Sequence, residues 1–306
     1  IKEEENVMPQ NFHALLWIFI IYAFIGWCTE VSYAAVNRGI FVNRGFLNGP
    51  YCPIYGCGVV IVVAVLTPLK ENLFFLFVGS FLLTSILEYI TGFVLEKVFH
   101  NKWWDYSNLP FNIKGYVCLK FSIYWGLACT FIMDIIHPII YKFITIIPHI
   151  LGVVLITILM AGFTVDVCLT VSTILKFNKR IKALDEIGVK IHNLSDEIGE
   201  RVYENATFAM EKSEEFQKSH EDIIEKIEET KTNISEKTSE FSLKQKNAYE
   251  EKKQELENLK AKYKEIASTK TFGFKRLVKA FPNMRSIDHK EALERYKNHL
   301  KTMKRK

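Results

Sequence analysis

Apolar residues dominate the first 176 positions of the chain in long runs separated by short polar links. A helix needs about 20 apolar residues to cross a hydrocarbon core of ~30 Å. Four of the runs reach that length, and a shorter one follows a segment rich in glycine and proline. The pattern predicts five membrane-spanning helices, one of them broken or re-entrant, at approximately residues 12–36, 53–68, 73–95, 116–141 and 150–175.

The periodicity becomes that of a polar helix after residue 176. Apolar side chains there recur at steps of three and four residues, as in a coiled coil. They are Leu184, Ile187, Ile191, Leu194 and Ile198, and later Leu256, Leu259, Tyr263 and Ile266. The predicted fold class is therefore all-α: a polytopic helical membrane bundle in residues 1–176, with a long cytoplasmic coiled-coil-like tail in residues 177–269. Self-association through this tail would give a homo-oligomer.

A basic amphipathic segment occupies residues 270–306 and forms the third predicted region. Its apolar residues, interspersed with lysine and arginine, are Phe272, Phe274, Leu277, Val278 and Phe281. This composition favours contact with anionic lipid at the cytoplasmic leaflet, and a partner protein is the alternative. No nucleic-acid recognition motif accompanies the basic residues, so no nucleic-acid partner is expected.

The chain has 39 Lys and Arg residues against 34 Asp and Glu residues, a net charge of +5, and their placement predicts orientation. Basic residues concentrate in the first loop, around the third loop and directly after the fifth predicted span. By the positive-inside rule those segments are cytoplasmic. We therefore expect a multi-pass protein of the cell membrane with its N-terminus outside and its C-terminal tail in the cytoplasm.

Glycines and prolines interrupt the chain between the first two predicted spans, in residues 44–58. Pro50 and Pro53 fix φ and remove two amide donors, so a continuous helix across this segment is not expected. Irregular backbone at membrane depth is tolerated only where protein or a water-filled cavity satisfies its polar groups. The segment is therefore the best candidate for one wall of a binding site.

Polar residues recur at helical spacing within each of the four long spans, and Glu30 and Glu88 lie deepest. Ionisable groups inside a membrane are costly and usually face the interior of the bundle. We therefore expect four polar stripes to face inward, namely Gly26, Glu30, Tyr33 and Asn37; Ser85, Glu88, Thr91 and Gly92; Thr130, Asp134, His137 and Tyr141; and Gly162, Asp166 and Thr170. Two interpretations stay open: structural hydrogen bonds between helices, or coordination of a cation, a proton or a polar headgroup.

Recognisable catalytic and cofactor motifs are missing from the sequence. It contains no phosphate-binding P-loop, no His-Glu-x-x-His, no Gly-x-Ser-x-Gly and no Cys-x-x-Cys. We therefore expect no cofactor and no metal site, and an enzyme is the less favoured class. Energy from ATP would have to come from a separate ATPase subunit.

Several motifs occur in an order that resembles a known family. They are Gly26-Trp-Cys-Thr-Glu30, the segment from Asn43 to Gly56, Leu87-Glu-Tyr-Ile-Thr-Gly92 with Glu96, and Trp104-Asp-Tyr-Ser107 followed by Asn112 and Gly115. Residues 11–141 are thereby similar to the bacterial multi-pass membrane family described as Putative ABC-transporter type IV, or CmpB-like. The resemblance implies a transporter membrane component, with candidate ligand-binding residues Glu30, Arg44, Asn48, Glu88, Glu96, Trp104, Asp105 and Asn112.

Three functional hypotheses follow from these observations. The first is a transport component or membrane protein that binds a small ligand or ion at a polar intramembrane site. The second is a membrane-embedded lipid-modifying enzyme that uses Glu30, Glu88 and Asp105 as acid, base or metal-holding groups. The third is a membrane anchor or scaffold whose coiled coil recruits a cytoplasmic partner. Arg44 is the expected counter-charge to one of the three acids, while Trp103 and Trp104 are expected to anchor the third loop in the headgroup layer.

Overall fold

The computed structural model describes residue 9 and residues 11–218, 231–269 and 271–302. The chain divides into two compact units. The first consists of Ile1–Lys179 together with Thr271–Lys306, and the second is Arg180–Lys270. The segment at the C-terminal end therefore belongs to the same unit as the apolar helices, although the predicted coiled-coil region separates them in sequence.

Helices make up nearly all of the described structure. The long apolar part contains α1 (Phe12–Arg38), α2 (Pro53–Leu66) with a 3-10 turn (Thr67–Leu69), α3 (Leu73–Phe99), α4 (Leu119–Phe131), a π turn (Ile132–Ile136) and α5 (His137–Ile146). The remaining helices are α6 (His149–Lys218), α7 (Lys231–Ser268), α8 (Phe274–Ala280) and α9 (Lys290–Thr302). Four two-residue strands complete the set: β1 (Asn101–Lys102), β2 (Asn112–Ile113), β3 (Val117–Cys118) and β4 (Arg285–Ser286).

Four of these helical segments are long and apolar enough to cross a membrane, and they cover the four long predicted spans. They are Phe12–Arg38, Leu73–Phe99, Leu119–Ile146 and His149–Glu200, and the shorter Pro53–Leu69 corresponds to the short predicted span. Their ends have local causes. The Asn11 side chain accepts from the Ala14 amide at 2.9 Å, and Gly39 ends α1 with φ of 63°. A count of five spans and the orientation of the termini stay predictions.

Close packing between α1 and α2 depends on two glycines. A Cβ atom on Gly26 would lie 2.4 Å from Cγ of Tyr55, and one on Gly56 would lie 2.5 Å from the carbonyl oxygen of Phe19. Either contact is too short for real atoms, so the two helices can approach this closely only without a side chain at these positions. The surrounding core is apolar, with fully buried Ile18, Val63, Leu76 and Met133.

The polar stripe predicted for α4 and α5 is wrong, and Tyr33, Asn37 and Gly162 of two other stripes are also exposed. Thr130, Asp134, His137 and Tyr141 are spaced for one face of an α-helix, but Asp134 is exposed whereas His137 and Tyr141 are buried. The cause is the π turn Ile132–Ile136, whose wider hydrogen-bonded ring changes the register of the side chains before and after it. Asp134 therefore faces away from the bundle.

The second unit is built from two antiparallel helical segments. Arg180 at its start donates to the carbonyl oxygens of Ile266 and Thr269, and Lys252 forms an ion pair with Glu197 further along. Leu184, Ile187 and Leu256, three of the residues with the predicted spacing, are buried. The coiled coil itself stays a prediction, and residues 219–230 lie outside the described part of the chain.

Two groups of residues meet at the end of the bundle where α1 and α3 stop and α4 begins. We call residues 39–52 and 100–118 the loop layer, and residues 271–302 the cap. Strand β1 of the loop layer pairs antiparallel with β4 of the cap, and the indole of Trp103 packs edge-on against Phe281 with ring centroids 4.9 Å apart. Trp103 is only 4% exposed, so the prediction that it anchors in the headgroup layer is wrong.

Candidate functional site

The irregular segment between α1 and α2 is non-helical from residue 41 to residue 52, as the glycines and prolines predict. Pro53 begins α2, a position where its missing amide hydrogen costs nothing. The Cys52 amide donates to the Ala23 carbonyl of α1 at 2.9 Å, and the Trp27 indole donates to the Asn43 side chain at 2.8 Å. The segment is thus held against α1 at both ends.

Glu30 of α1 is the centre of a half-buried ion pair. Its Oε2 atom lies 3.3 Å from Nε of Arg44, and its Oε1 atom accepts a hydrogen bond of 2.7 Å from the Tyr55 hydroxyl of α2. The Arg44 guanidinium also lies 5.3 Å from the centroid of the Tyr33 ring. Arg44 is therefore the counter-charge to Glu30, one of the three partners expected for it.

Glu88 of α3 is buried, with 7% of its surface exposed. Its Oε1 atom accepts a hydrogen bond of 3.3 Å from the Tyr106 hydroxyl of the loop layer, and the Trp125 indole of α4 is a second polar neighbour. Its Oε2 atom has no partner at hydrogen-bond distance among the described residues. Burial, together with the charge and hydrogen bond of Glu88, raises the pKa of Tyr106 well above its ordinary value, and Glu30 adds to the effect. Tyr106 is therefore a neutral donor close to both acids.

Asp166 of α6 holds the second half of the irregular segment. Its carboxylate accepts from the backbone amides of Asn48 and Gly49 at 3.1 and 2.6 Å. The Asn48 side chain donates to Thr170, one turn further along α6, at 2.9 Å, while its own Oδ1 atom is buried without a hydrogen bond from the described residues. The carboxylate thus replaces the hydrogen bonds that a helix would give these amides.

Arg276 of the cap holds the first half of the same segment. Its two terminal nitrogens donate to the carbonyl oxygens of Gly45 and Phe46 at 2.9 and 3.1 Å. Burial lowers the pKa of Arg276 from its ordinary value, and the charge of Asp166 opposes that shift. The irregular segment is therefore fixed from two sides by the side chains of Asp166 and Arg276, which are 110 residues apart in sequence.

Arg44, one expected partner of Asp105, pairs with Glu30 instead. The Asp105 carboxylate pairs with Arg285 of the cap at 2.9 Å and accepts hydrogen bonds from Ser107. Burial raises the pKa of Asp105, but the Ser107 hydrogen bonds and the charges of Lys102 and Arg285 outweigh it, so the net shift is downward. Asp105 is a stable carboxylate that ties the third loop to the cap.

The other three candidate residues make contacts within or beside the third loop. Glu96 lies 3.8 Å from Nζ of Lys102, and the Trp104 indole donates to the Tyr116 carbonyl at 2.9 Å. Asn112 closes the loop tip through a hydrogen bond of 2.7 Å to the Leu109 carbonyl, and it accepts one of 3.2 Å from the Gly115 amide. These contacts shape the loop.

The structure thus divides the eight predicted residues into groups. Glu30 and Arg44 form one group with Tyr55, and Glu88 accepts a hydrogen bond from Tyr106. Asn48 contacts α6. The remaining four residues organise the third loop. The sequence signal for Asp166 was its polar stripe, but Tyr55, Tyr106, Arg276 and Arg285 were missed. Among the described residues, no group of three or more His, Cys, Asp or Glu side chains could hold a metal ion.

Comparison with known proteins gives one match. The family model described as Putative ABC-transporter type IV matches residues 17–171, just over half of the chain. This range contains all eight candidate residues and Asp166, and it ends before the second unit and the cap. No curated protein and no solved structure matches the chain.

Proposed function

The chain belongs to the Putative ABC-transporter type IV family, and we propose that it is a transporter membrane component that binds a small ligand or ion between α1, α2 and α3. The observation that carries this proposal is the buried Glu88 carboxylate, which is linked to Glu30 only through their common neighbour Tyr106. One of its oxygens accepts from Tyr106 and the other receives no hydrogen bond from the described residues. A buried polar atom without a partner is rare, and a bound ligand is one explanation for it.

The charges of this group define the class of ligand. Arg44 pairs with Glu30, whereas Glu88 forms no ion pair with the described residues, and the Tyr55 and Tyr106 hydroxyls donate to the two acids. The remaining capacity is therefore for hydrogen-bond acceptance and for positive charge. A small cation or an amine with N–H donors would satisfy the free Oε2 atom of Glu88.

Transport would need further parts. The sequence has no P-loop, so hydrolysis of ATP would come from a separate ATPase subunit. The second unit, with its two long polar helices, offers a surface for such a cytoplasmic partner or for a second copy of the chain. This arrangement requires the N-terminus outside and the tail in the cytoplasm. Thiol labelling in intact cells tests that orientation. A cysteine placed at Glu200 is expected to be protected from a reagent that cannot cross the membrane, and labelling from outside would show that the orientation is wrong.

Binding at Glu88 can be measured on the full chain in detergent or nanodiscs. We would screen ammonium, alkali cations, amino acids and polyamines by thermal shift, with Glu88→Gln as the test variant. The matched control is Glu71→Gln, since Glu71 is an exposed acid in the short loop before α3. A ligand at 100 times its Kd stabilises by about 2.7 kcal/mol, so a raised midpoint is expected for the native protein and the control and not for Glu88→Gln. Equal shifts in all three proteins, or no shift with any compound, would contradict the proposal.

The scaffold hypothesis is the second candidate because the helices of Arg180–Lys270 form a compact unit of their own. Replacing residues 181–268 by a flexible linker keeps the cap and removes this unit. If the cellular phenotype is lost in that variant and kept in Glu88→Gln, the scaffold function is the right one. The lipid-modifying enzyme receives less support, because Asp105 is engaged by Arg285 and Ser107.

We also propose contact between the cap and anionic lipid, but with fewer residues than the sequence suggested. Phe274 and Leu277 are buried within the protein, at 3% and 1% exposure, and are not available to lipid. Phe272 is 82% exposed, and Lys275 and Lys279 are exposed on the following helix. A tryptophan at position 272 would therefore be quenched by brominated lipids in nanodiscs, more strongly with anionic than with zwitterionic headgroups.

A further inference from the structure

Asp134 lies on the outward face of the segment formed by α4, the π turn and α5. Its neighbours on that face are large, apolar and exposed: Leu127 is 56% exposed, Phe131 53% and Ile135 49%. In a membrane this surface faces lipid or another protein. The face therefore consists of apolar side chains around one carboxylate.

The depth of Asp134 follows from the two lysines of the same segment. Lys120 is 14 residues before it and Lys142 is eight residues after it. At a helical rise of 1.5 Å per residue these separations are about 21 and 12 Å along the axis. Both lysines are near the ends of the apolar segment, so Asp134 lies well inside the hydrocarbon core. Its short side chain cannot reach either boundary, as a lysine or arginine could.

An acid at that depth and on that face is unusual. Ionisable residues in spanning helices almost always face the interior of the bundle or a water-filled cavity, or they pair with another polar group. The exposure of Asp134 results from the π turn. In a regular α-helix the Asp134 side chain would lie on the same inward face as His137 and Tyr141. Single π turns within α-helices occur frequently at functional sites. The backbone irregularity and the exposed carboxylate point to the same surface.

We propose that this face binds a membrane-spanning helix of a different protein, and that the helix carries a lysine or arginine at the depth of Asp134. The apolar neighbours would pack against the helix, and the ion pair would fix its register. A second copy of this chain does not fit. In its apolar helices the described Lys and Arg residues lie at or beyond the ends of the apolar stretches, at Arg38, Lys97, Lys120 and Lys142 and from Lys176 onward in α6. A symmetric pair would bring two Asp134 carboxylates together.

Site-specific photo-crosslinking in native membranes tests this proposal. Phe131 is replaced by p-benzoylphenylalanine in the full chain, and the matched control places the same residue at Ile90, which is 51% exposed on α3. We expect an adduct at position 131 and not at position 90, with a membrane protein whose sequenced span carries a lysine or arginine. Asp134→Leu is expected to reduce the yield on the order of tenfold, which corresponds to 1.4 kcal/mol, and Asp134→Asn to reduce it less.

A charge exchange completes the test. Asp134→Lys is expected to abolish the adduct, and Asp at the partner's basic position is expected to restore it. Equal yields at positions 131 and 90, adducts with a second copy or with lipid alone, or a yield that Asp134→Leu leaves unchanged would overturn the proposal. Thermal unfolding of the purified chain gives a separate reading. Asp134→Leu is expected to keep or raise the midpoint, and a lower midpoint would show that Asp134 serves the fold of this chain instead. The proposal does not depend on ligand binding at Glu88.

Discussion

The loop layer and the membrane-spanning bundle hold their acidic side chains in different ways. Where the loop layer meets the cap and α6, Asp105 pairs with Arg285 and Asp166 accepts two backbone amides. Inside the bundle, Glu88 keeps one oxygen without a hydrogen bond from the described residues, and Asp134 is exposed on an apolar face. Asp105 and Asp166 stabilise the fold, whereas Glu88 and Asp134 retain the capacity to bind a ligand or a partner.

Physical chemistry explains why this difference is informative. Irregular backbone leaves amides and carbonyls that must find partners, so acids and arginines beside it have a structural use. Helical backbone satisfies itself, so an acid in a spanning helix has such a use only where it reaches irregular backbone, as Asp166 of α6 does. We therefore expect the bundle to depend mainly on close packing, and the loop layer mainly on polar contacts.

The largest effect is expected from a change in the packing of the bundle. In Gly56→Ala the new methyl group would lie 2.5 Å from the Phe19 carbonyl and 2.8 Å from its ring, so α1 and α2 must separate. Overpacking of this kind costs about 3 kcal/mol, and the thermal midpoint in detergent measures it. Gly162→Ala is the matched control, because the space around Gly162 is open. If both variants unfold at the same temperature, close contact between α1 and α2 does not limit stability.

A smaller effect is expected from removing the arginine that holds the irregular segment. Arg276→Gln leaves the carbonyl oxygens of Gly45 and Phe46 without their donors, which costs roughly 1–3 kcal/mol. The segment would then open more often and expose Cys52, now 5% exposed. We expect maleimide labelling of Cys52, with the other five cysteines replaced by alanine, to become faster on the order of tenfold.

Lys275→Gln is the control for this measurement. It removes a positive charge from the neighbouring position, where the side chain is exposed. Its labelling rate is expected to equal that of the native sequence. Equally fast labelling in both variants would assign the effect to the charge of the cap and not to the two hydrogen bonds.

The smallest effect is expected at Asp105. Its pKa is below the ordinary 3.8, so its carboxylate stabilises the folded state above that pH, and this contribution is lost as the pH falls through the folded value. The exposed position of Arg285 limits the gain to less than about 1 kcal/mol. Between pH 5 and pH 3 the thermal midpoint should fall more in the native protein than in Asp105→Asn. A double-mutant cycle with Arg285→Gln isolates the pair, and a coupling of zero would show that the contact does not stabilise the cap.

Local patterns in the sequence predicted the features that local physics determines. Run length and apolar composition placed the long helices, and Pro53 marked the start of α2. Arg44 in the loop after α1 was proposed as the counter-charge to Glu30, Glu88 or Asp105, and the structure pairs it with Glu30. Each of these features depends on residues close together in the chain.

Features that depend on distant residues could not be predicted in the same way. Arg276 is 231 residues from Gly45, and no periodicity links a basic amphipathic segment to a particular carbonyl. Such a segment fits a lipid surface and a protein surface equally well, so Arg285 was not recognised as the partner of Asp105. The π turn is the opposite case, because it is local and has a local signal. Pro138 follows it and lacks the amide that would donate to the Asp134 carbonyl in an α-helix, but the helical spacing was read without this break and the inward direction predicted for Asp134 was wrong.

The separation between Gly45 and Arg276 also determines the order in which the protein is completed. At a synthesis rate of ~5–20 residues per second, roughly 10 to 50 seconds pass between the two residues. During that time the apolar helices can already be in the membrane, but the carbonyls of Gly45 and Phe46 do not yet have the hydrogen bonds that Arg276 donates. Strand β1 likewise has no pairing partner until β4 has been synthesised. A segment synthesised late therefore closes a structure that begins more than 200 residues earlier, and the loop layer is complete only once the cap has been made.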